Sequence, residues 1–252
     1  MNGLQPRLTS APIVEAVVDI DCDMPNLGDI DALAAAAGAA LADRYPTPRR
    51  RMLSEHQISA APDRPVAVTS RQGLQALQYL SADEKQLIQF RPAGFSFNRL
   101  APYTTLDDYL PEIERTWSLF VGIAKPVVCR AARLRYINRI HLPTVDGRVE
   151  IDDYLRLAPK LADEERLTFA GFFNQHSVLE PATGNQVNIV FATQPPAGDQ
   201  LPVISDIEAF KDLACDPGDW LTISGRIQPL RSLKNLVFAN SLTEKCLNLF
   251  RS

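Results

Sequence analysis

The chain has 252 residues, of which 46% are hydrophobic and 22% are charged, and its formal net charge is −4 at pH 7. This composition is typical of a globular protein with a sizeable core, and it excludes disordered and fibrous classes. The acidic balance disfavours general affinity for nucleic acid, although a local cationic patch is compatible with it.

Targeting and cysteine signals are few. The four cysteines form no C-x-x-C pair, and no run of residues reaches the roughly 18 apolar positions of a membrane span. The N-terminal residues lack the apolar segment of a signal peptide. We therefore expect a cytoplasmic protein with free thiols and no membrane association.

The first 125 residues predict a strand, a helix, several antiparallel strands and a second helix. Residues 14–22 alternate between apolar and polar, and Asp29 can cap a helix over residues 30–44 that Pro46 ends. Apolar residues spaced by three and four indicate a helix over residues 106–124. Between these helices we predict strands at residues 49–60, 66–73, 74–81 and 85–100, with turns at Pro62-Asp63, Arg71-Gln72-Gly73 and Ala82-Asp83.

The second half opens as the first does, with a proline followed by a strand. Residues 127–143 follow Pro126, and Glu150-Ile151-Asp152 begins a short helix. Further strands are predicted at residues 168–180, 186–194 and 201–210, with a hairpin turn at Gly184-Asn185. The end is helical, with a capping box from Ser241 to Glu244 and an apolar stripe formed by Leu242, Cys246, Leu247 and Phe250.

The parallel order of elements predicts an α+β fold of two similar halves, each built as strand, helix, antiparallel strands, helix, with the sheets covered by helices. We place the halves at residues 1–125 and 126–252. The linker AKPV is too short and apolar for independent domains, so we expect the halves to pack closely as one module.

Residues 133–140, RLRYINRI, raise the main functional question. In a strand, Arg133, Arg135 and Arg139 share one face with Ile137. Neighbouring cations on that face repel, so something negative should answer them. One interpretation is an internal ladder with Glu15, Asp19 and Asp21 of the opening strand. The other is a site for an anion, a nucleotide or an acidic peptide, formed by the three arginines with Asn98, Arg99 and Tyr103.

Motifs for catalysis and cofactor binding are missing from the sequence. It contains no glycine-rich phosphate loop, no G-x-S-x-G elbow and no HExxH, and its three histidines lie on separate segments. Asp19, Asp21 and Asp23 share a strand face that could hold metal, but other acidic pairs fit helix N-termini without any ion. We predict no metal and no cofactor, no catalytic residue can be assigned, and an enzyme is the less favoured class.

Three segments, APIVEAVVDI, LRYINRIHLP and KNLVFANSLTEKCLNLF, resemble in this order a sporadically distributed family of uncharacterised bacterial proteins of the same length. The similarity extends over the whole chain, with RYINRI as its most specific motif. It implies a bacterial cytoplasmic protein, and it implies no activity or catalytic residue.

Two classes of function follow from these observations. The first is a non-enzymatic binding or regulatory protein that acts through a protein partner. The second is a sensor or enzyme that holds a small acidic ligand in the cleft between the halves, where pseudo-symmetric interfaces form pockets. Nucleic acid is the less favoured partner because the chain is acidic.

Overall fold

The computed structural model describes residues 8–25, 29–61, 64–160, 166–167 and 170–251, and of residues 55–61 and 64–72 only the backbone. Within these residues, nine strands form one sheet in the order β2-β3-β4-β5-β1-β6-β9-β8-β7. The strands are β1 (Ile13–Asp23), β2 (Thr47–Ala61), β3 (Arg64–Leu80), β4 (Gln86–Arg91), β5 (Gly94–Leu100), β6 (Val128–Pro143), β7 (Phe173–Glu180), β8 (Asn185–Thr193) and β9 (Gln200–Cys215).

Every neighbouring pair in the sheet is antiparallel. The two opening strands, β1 and β6, pair with each other at the centre. β5, the last strand of the first half, lies beside β1, and β9, the last strand of the second half, lies beside β6. From these strands the order runs back to β2 at one edge and to β7 at the other. The chain therefore forms an α+β fold around one continuous antiparallel sheet.

The described residues also form four α-helices: α1 (Ile30–Leu41), α2 (Leu106–Ala124), α3 (Trp220–Ser241) and α4 (Glu244–Asn248). The first three pack on one face of the sheet. In the core of the first half, the rings of Phe95 and Phe120 lie 5.6 Å apart, and Trp117 stacks on Phe120 at 5.3 Å. The Trp117 indole nitrogen donates to the Pro217 carbonyl at 3.0 Å, so α2 is tied to the second half.

Helix α1 begins where the sequence predicts, because the Asp29 carboxylate accepts from the amides of Asp31 and Ala32. The short helix predicted at Glu150-Ile151-Asp152 forms as a 3-10 helix of three residues. One other start differs from the prediction. The cap of α4 is Thr243, since Ser241 still belongs to α3 and donates to the Val237 carbonyl.

The turn predicted at Arg71-Gln72-Gly73 is wrong. Strand β3 runs without interruption through it, because β2 continues to pair with β3 on the other side of these residues. The turn predicted at Pro62-Asp63 lies outside the described residues. The turn that closes β7 and β8 comes before Asn185, which already pairs with Glu180.

In the described part of the chain, no helix is both long enough and apolar enough to cross a membrane.

Candidate functional site: the charged face of the sheet

The face of the sheet opposite the helices is charged at its centre. Alternation along β1 sends Val18 and Ile20 into the core and turns Asp19 and Asp21 to the other side. This charged face consists of Glu15, Asp19 and Asp21 on β1, Arg91 on β4, Arg133 and Arg135 on β6, and Asp206 and Glu208 on β9.

Arg133 lies at the middle of this face and bridges two neighbouring strands. Its Nε donates to Asp21 at 2.6 Å, and its Nη1 lies 3.6 Å from a carboxylate oxygen of Glu208. The guanidinium carbon stands 4.7 Å above the centre of the Phe210 ring, a cation–π contact on the same face. Arg133 of β6 thus contacts carboxylates of both neighbouring strands, β1 and β9.

Arg135 and Arg91 bind other carboxylates of the charged face. Arg135 grips Asp206 with two hydrogen bonds, of 2.8 and 2.5 Å, in the fork geometry that guanidinium and carboxylate favour. Arg91 donates to Asp21 at 2.9 Å and lies 3.5 Å from Asp19. Each of these arginines therefore has a carboxylate of the protein itself as its partner.

Uncharged side chains extend the charged face toward both edges of the sheet. On one side, Gln78 donates to Gln89, Gln89 to Asn98 and Asn98 to Glu15, at 2.9, 2.9 and 2.6 Å. On the other side, Ser177 donates to Asn188 and Asn188 to Glu208, at 2.8 and 3.0 Å. Hydrogen bonds between side chains thus link β1 to β3 in one direction and β9 to β7 in the other.

Burial and charge act in opposite directions on the pKa values of this face. Burial raises the pKa of the Asp19 carboxyl, and the Arg91 charge and the Ser96 hydroxyl only partly offset that rise. Burial by itself lowers the pKa of Arg133, but the hydrogen bond with Asp21 and the nearby carboxylates outweigh it. The hydrogen bond with Asp206 raises the pKa of Arg135. Both arginines are therefore firmly charged.

The charged face carries five carboxyl groups and three guanidinium groups. An anion that binds Arg133 or Arg135 would have to displace Asp21 or Asp206 and would meet the remaining carboxylates. The arrangement is thus better suited to fixing β4, β1, β6 and β9 in register than to holding a free anion.

The six residues proposed from the sequence as a ligand site do not share one surface. Arg133, Arg135 and Asn98 lie on the charged face, and Arg139 continues it as an exposed residue without an ion pair to any described side chain. Arg99 lies on the helix side, because successive residues of β5 alternate between the two faces, and Tyr103, which follows β5, packs against the core on the same side. The guanidinium carbon of Arg99 lies 5.0 Å from the centre of the Tyr109 ring on α2. A ligand-binding role for the six residues stays a prediction.

Tyr103 belongs instead to a polar cluster beneath α3. Its hydroxyl lies 2.6 Å from the hydroxyl of Tyr136, and the ammonium of Lys234 sits 3.5 Å from the centre of the Tyr136 ring. Nearby, Arg231 binds Asp107 at 2.8 Å, which joins α3 to the start of α2. Lys234 could not be singled out from the sequence, because an isolated lysine on a helix is ordinarily solvated.

Three cysteines that are distant in sequence meet at one end of the central strands. Cys22 pairs with Cys129 across β1 and β6, and Cys129 pairs with Cys215 across β6 and β9. Burial raises the pKa of Cys215 to about 11, so its thiol stays protonated at neutral pH. Among the described residues, no three His, Cys, Asp or Glu side chains are arranged to hold a metal ion.

Sequence reasoning missed Asp206 and Glu208, which carry the other half of the ion-pair network. The signal was present, since Asp206 and Glu208 alternate with Ile207 and Ala209 as Asp19 and Asp21 alternate with their apolar neighbours.

No protein-family model matches this chain, and no curated protein matches it.

Proposed function

We propose that this chain is a non-enzymatic binding or regulatory protein that acts through a protein partner, and that the partner docks on a two-stranded ribbon formed by β2 and β3. The ribbon comprises residues 52–61 and 64–76. A bacterial cytoplasmic setting, and membership of the family that the sequence resembles, belong to the same proposal.

The observation that carries the proposal is the length of the ribbon beyond the sheet. β4 pairs with β3 only from Leu77 to Leu80, whereas β2 pairs with β3 from Thr47 to Ala61. Among the described residues, the ribbon therefore has no third strand on either side. At about 3.3 Å per residue it spans on the order of 35 Å.

A two-stranded ribbon that extends beyond the sheet has little stability of its own. An isolated two-stranded hairpin is at best marginally stable in water, so its free edges and apolar side chains gain from a partner. At its base, Met52 and Leu53 are about half exposed. Strand addition to a free edge is a common way to bind an extended protein segment.

The charges of the ribbon favour protein over nucleic acid. Residues 52–61 and 64–76 contain two arginines and one acidic residue, so the ribbon lacks the cationic excess that phosphate binding requires. A small acidic ligand was the alternative. The pairing of Arg133 and Arg135 with carboxylates of the same face does not favour it.

Affinity purification from the native host, with mass spectrometry of co-purified proteins and small molecules, tests the proposal. The test compares the full chain with a shortened variant in which an Asn-Gly turn joins Ser54 to Gln72. This deletion removes most of the ribbon and leaves the nine-strand sheet. We expect a protein partner that the full chain and an Arg139→Ala control retain and the shortened variant loses. A partner retained without the ribbon, or an acidic small molecule lost on Arg135→Ala, would contradict the proposal.

The two similar halves, residues 1–125 and 126–252, are also part of the proposal. Support comes from the strand order, which counts back outward from the centre on both sides of β1 and β6. The second half has three such strands instead of four, and a 3-10 turn stands where the first has α1. Duplication followed by loss of these elements accounts for both differences.

A further inference from the structure

The two edges of the sheet differ in how they are protected. β2 forms one edge, and where it borders the sheet it carries Pro48 followed by Arg49, Arg50 and Arg51. Its pairing with β3 shifts register immediately afterwards, between Arg51 and Met52. Proline, clustered positive charge and a bulge are the devices by which proteins prevent an edge strand from pairing with another chain.

The other edge, β7, has none of these devices. Its sequence, FNQHSVLE, contains no proline, lysine or arginine, and its eight pairs with β8 run without a register shift. Among the described residues no strand pairs with its outer side. Phe173 and Leu179 are 69% and 60% exposed there, and Val178 is 45% exposed. A flat, exposed and apolar edge is the kind that takes up another strand.

The side chains on the face of β7 that carries Phe173 and Leu179 are arranged symmetrically about its middle, whereas on the other face Val178 has the polar Asn174 as its counterpart. Phe173 and Leu179 lie three residues before and three residues after His176, on the same face, and Gln175 and Ser177 lie between them. A strand with this pattern matches an antiparallel copy of itself, because both apolar residues then meet apolar partners.

We propose that β7 pairs with β7 of a second copy of this chain, antiparallel and with His176 opposite His176 of the partner subunit. A two-fold axis perpendicular to the sheet makes such an interface self-complementary. Phe173 then faces Leu179 of the partner subunit, and Gln175 faces Ser177 of the partner subunit.

Other registers lose this match. Directly opposed residues must share a face, so the register can shift only in steps that move each pairing by two residues. One such step places Leu179 against a polar Gln175, and the opposite step places Phe173 against Ser177 of the partner subunit. In the proposed register, Glu180 faces position 172, so no two acidic side chains oppose each other.

The dimer continues the sheet through both subunits and keeps the helices of both on one side. The two ribbons then lie at opposite ends of the assembly, since β2 is the far edge of each sheet. Dimerisation is independent of what binds the ribbon, so it can hold or fail separately from the proposed function.

Cysteine cross-linking of the full chain tests the register. Directly opposed Cα atoms in an antiparallel pair are about 4.5–5.5 Å apart, within disulfide range. We expect an intermolecular disulfide when Phe173→Cys and Leu179→Cys proteins are mixed under mild oxidation. Either protein alone should not form it, because two copies of one position stand about 20 Å apart. A disulfide formed equally by either protein alone would overturn the register.

Analytical ultracentrifugation up to the solubility limit tests the dimer itself. We expect the wild-type chain to dimerise, and Phe173→Lys or Leu179→Lys to raise the dissociation constant at least about tenfold. Leu221→Lys is the matched control, because Leu221 is 83% exposed on α3. Far-UV circular dichroism and melting confirm that each variant is folded. A wild-type monomer at all concentrations, or a dimer unaffected by lysine at 173 and 179, would overturn the proposal, as would a β7 edge that binds only another protein.

Discussion

Lys234 is a buried lysine, although lysine side chains are ordinarily exposed. Its side chain lies beneath α3 with 7% of its surface exposed, and its ammonium rests on the ring of Tyr136. Burial lowers the pKa of Lys234 to about 7, and the Arg231 charge acts in the same direction. The cation–π contact favours the charged form by only about 1–2 kcal/mol, which is less than the effect of burial.

We expect Lys234→Met to raise the free energy of unfolding at pH 7.5 by about 2–4 kcal/mol. Between the pKa near 7 in the folded state and 10.5 in the unfolded state, the unfolded chain binds a proton that the folded chain does not. Wild-type stability should therefore rise with pH through this window, and the variant should lose that rise. Urea unfolding at pH 7, 8 and 9 measures both effects.

Lys125→Met is the matched control for this experiment, because Lys125 is an exposed lysine at the C-terminal end of α2. Its unfolding curves should keep the pH dependence of the wild-type protein. An equal slope in the wild-type and Lys234→Met proteins would show that Lys234 is charged in the folded state.

Arg135 and Arg139 lie on the same strand but have different surroundings. Asp206, the partner of Arg135, is 16% exposed and would be left half-buried without a counterion. We expect Arg135→Ala to lower stability by about 1–2 kcal/mol, between the values for exposed and dry ion pairs. Arg139→Ala should change it by less than about 0.5 kcal/mol.

Thermal melts of both variants, with and without phosphate, nucleotide and an acidic peptide, make the measurement. Unchanged melting of Arg135→Ala in buffer, combined with loss of stabilisation by an anion, would show that the partner of Arg135 is an external ligand and not Asp206.

The charged face illustrates which side chains can be placed from sequence. Alternation along single strands put Asp19 and Asp21 on one face of β1, and Arg133 and Arg135 on one face of β6. It could not assign Asp206 to Arg135, because that requires knowing that β9 and not another strand lies beside β6. The same limit applies to the three cysteines, whose proximity depends on strand order and register.

Among the elements, those with a strong local signal agree best with the sequence. The Asp29 cap and the 3.6-residue period of α2 are local features; α2 has the predicted bounds, and α1 begins where predicted but ends at Leu41 instead of residue 44. Strand β3 does not follow its local signal, because pairing with β2 along its whole length overrides the Gln72-Gly73 turn preference. The ribbon could not be predicted for the same reason.

The C-terminal segment, residues 243–251, packs against the core on the helix-covered side of the sheet. Leu247 and Phe250 are buried, the Phe250 carbonyl accepts from the amides of Thr9 and Ser10, and the Thr243 amide donates to the Tyr154 carbonyl. The segment thus holds the start of the chain and the 3-10 turn region in place.

Ending the chain after Leu242 should therefore strongly destabilise the protein. Loss of Leu247 and Phe250 removes about 3–6 kcal/mol of burial, from a total that is about 5–15 kcal/mol for typical domains. Differential scanning calorimetry should show a much lower or absent transition. A chain ending after Phe250 is the control, because it lacks only the exposed Arg251 and the last residue. Equal melting of both truncations would mean that the segment is not docked.

For the molecule as a whole, the centre of the sheet lies between the two halves of the sequence. β1 and β6 pair from Asp23 to Ile13, and Arg133 of the second half binds Asp21 of the first. Trp117 and Asp107 of α2 bond to Pro217 and Arg231 of the second half. Dividing the chain at residue 125 would open the edges of two strands that are otherwise fully paired.

We therefore expect that residues 1–125 or 126–252, expressed alone, show no cooperative thermal transition, whereas the two fragments expressed together form a one-to-one complex. Each fragment alone leaves one edge of β1 or β6 with unpaired backbone groups and loses the contacts between α2 and the second half, which favours aggregation. Co-expression restores the central pair and the ion pairs that cross it. Calorimetry and sizing of the co-purified fragments measure this. A sharp transition for either fragment by itself would show that the halves are independent domains rather than parts of one sheet.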